Sequence, residues 1–249
     1  MKKQDKRTDS AGTPVATTGQ RIVDASMTLF ARRGYHGTGI RDIAEEAGLS
    51  TATLYHYMGT KEDLLLHIMR EANTRLTVAA DKALASSPDP AEQILLLVRV
   101  LVTTEATHRL TIVGDTELRV LSPESAQEVL QIRDTHEQQW AAAIRNGMAE
   151  GSFHVEDEQL ARFALIQMCT GVAHWYFPGG RLSLPAITTQ YGDMALALLD
   201  ASRDGQRLST ASLGLHAANV EIDLVMQEFE SFISPRSRPT HFAMVQKPD

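Results

Sequence analysis

The spacing of apolar residues along the chain is helical almost throughout. Ile22, Ala25 and Leu29 follow one another at three and four positions, and this first run ends in two cations and Gly34, as helices commonly do. Runs of the same period continue through most of the remaining sequence, and the alternation typical of β-strands is absent. The pattern predicts an all-α fold of roughly nine or ten helices.

Glycine, proline and capping residues divide this pattern into segments. Gly48 ends a short second helix, Ser50 is in position to cap a third, and Thr60 with Asp63 has the spacing of a capping box for a long fourth helix. The helices predicted after the first one cover residues 40–47, 51–57, 60–85, 91–110, 124–150, 156–177, 184–203 and 215–232.

The second and third of these helices, joined through residues 48–50 and flanked by further helices, have the arrangement of a helix-turn-helix. If Leu54 points into the core, a helical wheel places Thr51, Tyr57 and Met58 on its side of the third helix. Small and polar side chains point the other way, where they could reach base edges in a DNA groove. The side chains predicted to face DNA are Ala52, Thr53, Tyr55 and His56, together with Thr51 because it stands at the exposed N-terminus of the helix. Lys61 adds a cation at the start of the next helix, where free backbone N–H groups also favour phosphate.

Residues 38–64, TGIRDIAEEAGLSTATLYHYMGTKEDL, resemble the DNA-binding signature of tetracycline-repressor (TetR) type regulators. The resemblance extends over residues 18–66, with Met58 where many relatives have Phe and Ala52 where Gly is common. It implies that Arg41 enters the groove and that Thr38 contacts the DNA backbone. It further implies base contacts from Thr51, Ala52, Tyr55 and His56 and phosphate contacts from Thr53, Tyr57 and Lys61.

The resemblance also implies an architecture and a mechanism. An N-terminal three-helix DNA-binding domain precedes a larger helical bundle that binds a ligand and dimerises. The homodimer would place two recognition helices one DNA turn apart, roughly 34–36 Å, on a palindromic operator. An effector that shifts the fourth helix would then release the DNA. The expected divisions are a flexible arm at 1–18, the DNA-binding domain at 19–66, the ligand-binding and dimerisation domain at 67–234 and a tail at 235–249.

Charge is distributed unevenly between these parts. The net charge of the chain is −7, but residues 1–65 carry nine Lys and Arg against eight Asp and Glu. The acidic excess therefore lies outside the segment expected to bind DNA. A nearly neutral domain can still bind DNA when its cations share one face.

Other classes of protein find little support in the sequence. No nucleophile motif, phosphate loop or dinucleotide fingerprint is present, so we expect no enzyme. Scattered histidines and the single Cys169 predict neither a metal site nor a cofactor. No apolar stretch approaches the roughly 20 residues of a membrane span, and a cytoplasmic protein is expected. A helical interaction scaffold without DNA binding remains a remote alternative.

The effector is predicted to bind among the helices between Leu64 and Phe177. The segment HWYFPGGRLS at residues 174–183 resembles the C-terminal region of TetR-type regulators of acyl-CoA, fatty-acid or steroid breakdown. An efflux regulator that senses a lipophilic drug is the alternative. The candidate ligand-binding residues are Glu105, His108, Arg109, Arg119, Arg133, Trp140 and Trp175.

Two apolar stripes predict where the homodimer forms. One stripe lies on the helix 156–177 and the other on the helix 184–203, and small residues on the first would let two backbones approach closely. Packing within one chain is the alternative for both stripes. The candidate interface residues are Ala164, Met168, Gly171, Ile187, Tyr191, Met194 and Leu198.

Overall fold

The computed structural model describes residues 17–108 and 118–214. These residues form two compact units, one ending at Tyr57 and the other beginning at Met58. The boundary expected from the sequence, at residue 66, falls inside a helix of the second unit. Arg109, the helix predicted at 215–232 and the tail at 235–249 lie outside the described residues, as does most of the N-terminal arm.

The first unit consists of three helices, α1 (Thr18–Arg33), α2 (Ile40–Glu46) and α3 (Thr51–Met58). The Thr17 side chain caps α1 by accepting a hydrogen bond from the Gln20 amide at 3.2 Å. Apolar side chains from all three helices meet in one core, which explains why helices this short are stable together. Among its buried members are Ile22, Leu29, Phe30, Ile43, Ala44 and Leu54.

The second unit is helical with one small exception. Its helices are α4 (Lys61–Ala85), α5 (Pro90–His108), α6 (Pro123–Glu150), α7 (Glu158–Thr170), α8 (Val172–Trp175) and α9 (Leu184–Leu198), with a 3₁₀ turn at Leu118–Val120. The predicted helix 156–177 is therefore divided at Gly171. In the part of the chain that the structure describes, no helix is long and apolar enough to cross a membrane.

The small exception is a β-hairpin after the last helix, and it corrects the prediction of a helix reaching residue 203. The helix α9 ends at Leu198, and a two-stranded antiparallel hairpin follows, formed by β1 (Ser202–Arg203) and β2 (Gln206–Arg207). Asp204 and Gly205 at its tip both have positive φ, 52° and 74°, which is the geometry that suits a two-residue hairpin turn. The helix itself ends just before Asp200, whose φ of 44° is the left-handed conformation common after a helix end.

Helix α5 is the centre of the second unit and packs against α4, α6, α7, α8 and α9. A helix surrounded in this way must be apolar on most of its faces, and residues 94–98 and 100–102 are all buried. Gly192 of α9 permits a close approach to α5, since a Cβ atom there would lie 2.8 Å from Leu95. The ligand and dimer candidates are all arranged around this core.

Candidate functional site

The turn between α2 and α3 is held by hydrogen bonds from both of its sides. Gly48 adopts φ +64°, and the Leu49 amide donates to the Ala44 carbonyl at 2.8 Å. From α1, the Arg21 guanidinium donates to the carbonyls of Ala47 and Gly48. These contacts fix the angle at which α3 leaves the turn, and sequence reasoning had not identified Arg21.

Helix α3 presents one face to the core and the other to solvent. Ser50 caps it, accepting from the Thr53 amide at 3.1 Å, as predicted. Leu54 is 1% exposed, whereas Tyr55 and Tyr57 are each 53% exposed. The helical wheel had placed Tyr57 on the core side, but at the last turn of so short a helix its ring lies outside the core. Of the remaining candidates, Ala52 and His56 are exposed, and Thr51 and Thr53 are half-buried.

Two candidates precede α3. Arg41 is exposed at the second position of α2. Thr38 is only 1% exposed, and its hydroxyl donates to the Gly34 carbonyl at 2.9 Å. This corrects the assignment of Thr38 to the DNA backbone, because its side chain is occupied in ending α1.

The second unit contributes Lys61, the first residue of α4. The capping box predicted before it is confirmed: the Asp63 amide donates to Thr60 Oγ1 at 3.1 Å, and the Thr60 amide donates to Asp63 Oδ2 at 2.9 Å. These hydrogen bonds, the backbone one first, lower the pKa of Asp63. The start of α4 is thus well ordered, with the Lys61 side chain half-buried beside the cap.

The effector candidates do not form one cluster. Trp140 of α6 is fully buried in the core of the second unit, and its indole N–H donates to His136 Nε2 at 3.1 Å. Trp175 is 48% exposed and Arg119 is exposed, while Glu105 of α5 is buried. Arg133 is half-buried, and the side chain of His108 lies outside the described residues. Trp140 is therefore corrected to a core residue, and Glu105 is the candidate that lies inside the bundle.

A buried polar chain joins α6 to α4. His136 Nδ1 lies 3.1 Å from Gln139 Oε1, and the Gln139 amide donates to the Thr77 carbonyl at 2.9 Å and to Asp81. Because Trp140 donates to Nε2, the neutral imidazole carries its proton on Nδ1. Burial lowers the pKa of His136 to about 4. Sequence reasoning missed this chain, although the His136–Trp140 spacing of one helical turn was a usable signal.

The predicted dimer stripes are only partly at the surface. Ala164, Met194 and Leu198 are exposed, whereas Met168, Gly171 and Tyr191 are half-buried. Ile187 is 2% exposed and belongs to the core of its own chain, which corrects its assignment to the interface. The surface also includes apolar side chains that the prediction omitted, namely Phe163 and Phe177.

Comparison with known proteins agrees with this arrangement. Residues 22–68 match the model of bacterial regulatory proteins of the tetR family, and residues 87–199 match that of the tetracyclin repressor-like C-terminal domain. The TetR-family regulator PfmR of Thermus thermophilus is 30% identical, with a TM-score of 0.66, over 71% of this chain and 97% of that one.

Two further proteins extend the comparison. The HTH-type transcriptional repressor KstR2 of Mycolicibacterium smegmatis is 27% identical over 71% of this chain and 87% of the relative. The structure of AibR with isovaleryl coenzyme A and operator DNA is 21% identical, with a TM-score of 0.66, over 75% of this chain and 100% of that one. The latter likeness shows the fold.

The turn between α2 and α3, the exposed face of α3 and the helical second unit together define a DNA-binding transcription regulator of the helix-turn-helix class. The chain belongs to the TetR family of bacterial regulatory proteins, which confirms the resemblance seen in residues 38–64.

The buried His136 makes the stability of the protein depend on pH. Its folded pKa of about 4 lies below the ordinary 6.5, so the unfolded chain binds a proton first as the pH falls. The stability is complete above pH 6.5 and is lost progressively between pH 6.5 and 4, by about 3 kcal/mol. Urea unfolding at several pH values should show this loss in wild type and not in His136→Gln, and equal pH dependence in both proteins would contradict it.

Proposed function

We propose that this protein is a homodimeric repressor that binds a palindromic operator through α3 and is released from it by a lipophilic effector, an acyl-CoA in the first instance. It acts in the cytoplasm as a regulator and has no catalytic activity of its own. The observation that carries the proposal is the polar and aromatic face of α3, exposed above the buried Leu54.

The dimensions of α3 suit the major groove. An α-helix with its side chains is about 10–12 Å across, which fits a groove about 12 Å wide, and the eight residues of α3 extend for about 12 Å along it. Ala52 at its start permits close approach, and Tyr55 and His56 can hydrogen-bond to base edges. Arg41, exposed near the start of α2, supplies a second side chain to the bases or to the adjoining phosphates.

Contacts to phosphate would hold α3 in register. Tyr57 is half exposed and carries a hydroxyl that can donate to a phosphate oxygen. Lys61 lies at the positive end of α4, where the capping box leaves further backbone N–H groups pointing outward. Such contacts carry no sequence information but supply most of the salt-dependent affinity.

A second copy of the chain would cover the apolar surface of α7, α8 and α9. Leu160, Trp175 and Met194 are 68%, 48% and 51% exposed, and Leu198 is 38% exposed. Apolar surface that is contiguous on neighbouring helices is costly to leave in water and marks an interface. Ala164, small and exposed on α7, would allow close packing there.

The comparisons favour an acyl-CoA over a drug as the effector. The relative KstR2 is a repressor, a related solved protein is a ketosteroid transcriptional regulator, and AibR shares the fold and binds isovaleryl coenzyme A with operator DNA. The segment 174–183 resembles the same group of regulators. Its exposed aromatic residues and Arg181 lie on the surface, where the polar part of a coenzyme A thioester would remain outside the bundle.

Substitutions on the DNA-facing side should separate base contacts from phosphate contacts. With a duplex selected from a random pool, Tyr55→Ala and His56→Ala should each weaken binding by about tenfold, since each removes contacts worth about 1–3 kcal/mol. Lys61→Ala should weaken all duplexes alike and reduce the salt slope by about one unit.

The matched control for Lys61 is Lys82→Ala, a lost cation at the other end of the same helix, which should leave the salt slope unchanged. Wild-type affinity in all three DNA-side variants, each folded by circular dichroism, would eliminate the proposed surface.

A charge placed in the apolar surface should separate the subunits. Met194→Arg buries an unpaired guanidinium in the proposed interface, and sedimentation should show a folded monomer at concentrations where wild type is a dimer. Val78→Arg changes a similarly exposed apolar residue of α4 and should leave the dimer intact. A Met194→Arg dimer as stable as wild type would place the interface elsewhere.

Titration calorimetry with a fatty or steroid acyl-CoA, its free acid and coenzyme A alone tests the effector. We expect the thioester to bind and to weaken operator binding by at least about fivefold, the smallest usual coupling between two linked sites. Release by unrelated lipophilic cations with no response to any thioester would favour the efflux alternative. Binding that leaves operator affinity unchanged would remove the regulatory proposal.

A further inference from the structure

Two adjacent polar residues interrupt the apolar surface of α5. Thr104 is fully buried and Glu105 is 3% exposed, shortly after a run that is buried and apolar from Val100 to Val102. Polar groups in such surroundings destabilise the fold unless they are hydrogen-bonded. A buried Thr104 on the central helix therefore calls for a hydrogen-bond partner.

The Thr104 hydroxyl has no hydrogen-bond partner among the described residues. Helical hydroxyls elsewhere donate to the carbonyl one turn earlier: Ser26 to Ile22 at 2.7 Å, and Thr107 to Thr103 at 2.7 Å. Thr104 could bond in the same way and does not, so its hydroxyl is turned away from the helix backbone.

The other two buried atoms without a hydrogen bond, on Glu158 and Arg162, face each other at 3.2 Å as an ion pair. Among the described residues, the Thr104 hydroxyl is thus the one buried side-chain polar group with neither a hydrogen bond nor an ion pair. A buried hydroxyl without a partner in a folded protein needs an explanation, and an effector that supplies the partner when it binds is one.

Polar side chains from neighbouring helices surround the same region. Glu105 lies close enough to Cys169 of α7 for its charge, after burial itself, to raise the pKa of that thiol. Burial, with a smaller contribution from the charge of Cys169, raises the pKa of Tyr191 of α9, which is hydrogen-bonded to Trp175 of α8. The end of α5 thus lies near a few polar side chains of α7, α8 and α9 within an apolar core.

We propose that Thr104 and Glu105 bind an uncharged oxygen, a hydroxyl or a carbonyl, on the hydrocarbon part of the effector. This inference rests on the proposed function and specifies which effectors the site accepts. The Thr104 hydroxyl can donate to a carbonyl or accept from a hydroxyl, and the Glu105 carboxyl group can accept from a hydroxyl. A carboxylate on the hydrocarbon would meet Glu105 in an apolar region and is disfavoured.

The burial of Thr104 also links recognition to response. Its hydroxyl is out of reach of solvent, so an effector reaches it only when the helices around α5 part. The Thr104 hydroxyl has a hydrogen-bond partner when the helices have parted around the effector and has none when they are closed. This difference in contacts allows the effector to shift the equilibrium between the two states.

The test uses dodecanoyl-CoA, a series of hydroxydodecanoyl-CoA thioesters with the hydroxyl at one position each, and the mono-CoA thioester of dodecanedioic acid. Wild type should bind one hydroxy isomer about tenfold more tightly than dodecanoyl-CoA, as one net hydrogen bond allows, and the dicarboxylic thioester most weakly. Thr104→Val should abolish the preference and leave dodecanoyl-CoA binding within about twofold.

Two variants control for fold and position. Thr104→Ser keeps the hydroxyl and should keep the preference, and so should Thr107→Val, which loses a hydroxyl that is already bonded to its own helix. Thr104→Val should also melt at a higher temperature than wild type, since it removes an unsatisfied buried group. A lower melting temperature would mean that the hydroxyl has a partner in the folded chain and would overturn the premise.

Binding of dodecanoyl-CoA without preference for any hydroxy isomer, or a preference that survives in Thr104→Val, would overturn the inference and leave the acyl-CoA proposal standing. Failure of wild type to bind any thioester would overturn the acyl-CoA proposal and this inference together.

Discussion

Burial of Leu54 in the core of the first unit is the interaction on which the DNA-binding surface depends. Helix α3 has eight residues and would not persist alone, so its position comes from this anchor and from the turn before it. Arg21 binds the carbonyls of that turn from α1, and Gly48 supplies its left-handed residue. With one side fixed inward, Tyr55 and His56 are held outward.

The second unit is built on a different constraint. Because α5 is surrounded by other helices, the faces it turns toward them must be apolar, and residues 94–98 and 100–102 are all apolar and buried. The same packing makes an unsatisfied polar group on α5 costly, which gives the Thr104 hydroxyl its significance. The His136 chain shows the satisfied counterpart, in which each buried polar group has a partner and α6 is fastened to α4.

Sequence periodicity predicted α1 to α4 closely. The limits of these helices are marked locally, by glycines where a helix ends and by capping side chains where one begins. Periodicity could not tell whether a stripe faces its own core or a second chain: Ile187 and Met194 lie on one helix, and the first is buried while the second is exposed. It also could not tell the wall of a ligand pocket from the core, where Trp140 lies fully buried. The hairpin at 202–207 was missed because two-residue strands carry no period. The exposed face of α3 was predictable since the helix is short and Leu54 is its single buried residue.

The spacing of the two α3 helices in the dimer is the property that connects both units to function. Cys169 is buried, so Glu46→Cys on the exposed end of α2 offers a selective site for a spin label. Pulsed electron resonance of the labelled dimer on its selected operator should give one narrow distance between the labels. After allowance for the length of the label arms, this distance should lie near one DNA turn, roughly 34–36 Å, and the distribution should be broader without DNA. No distance between labels on the operator, or the same distribution with and without it, would contradict a paired DNA-binding role for α3.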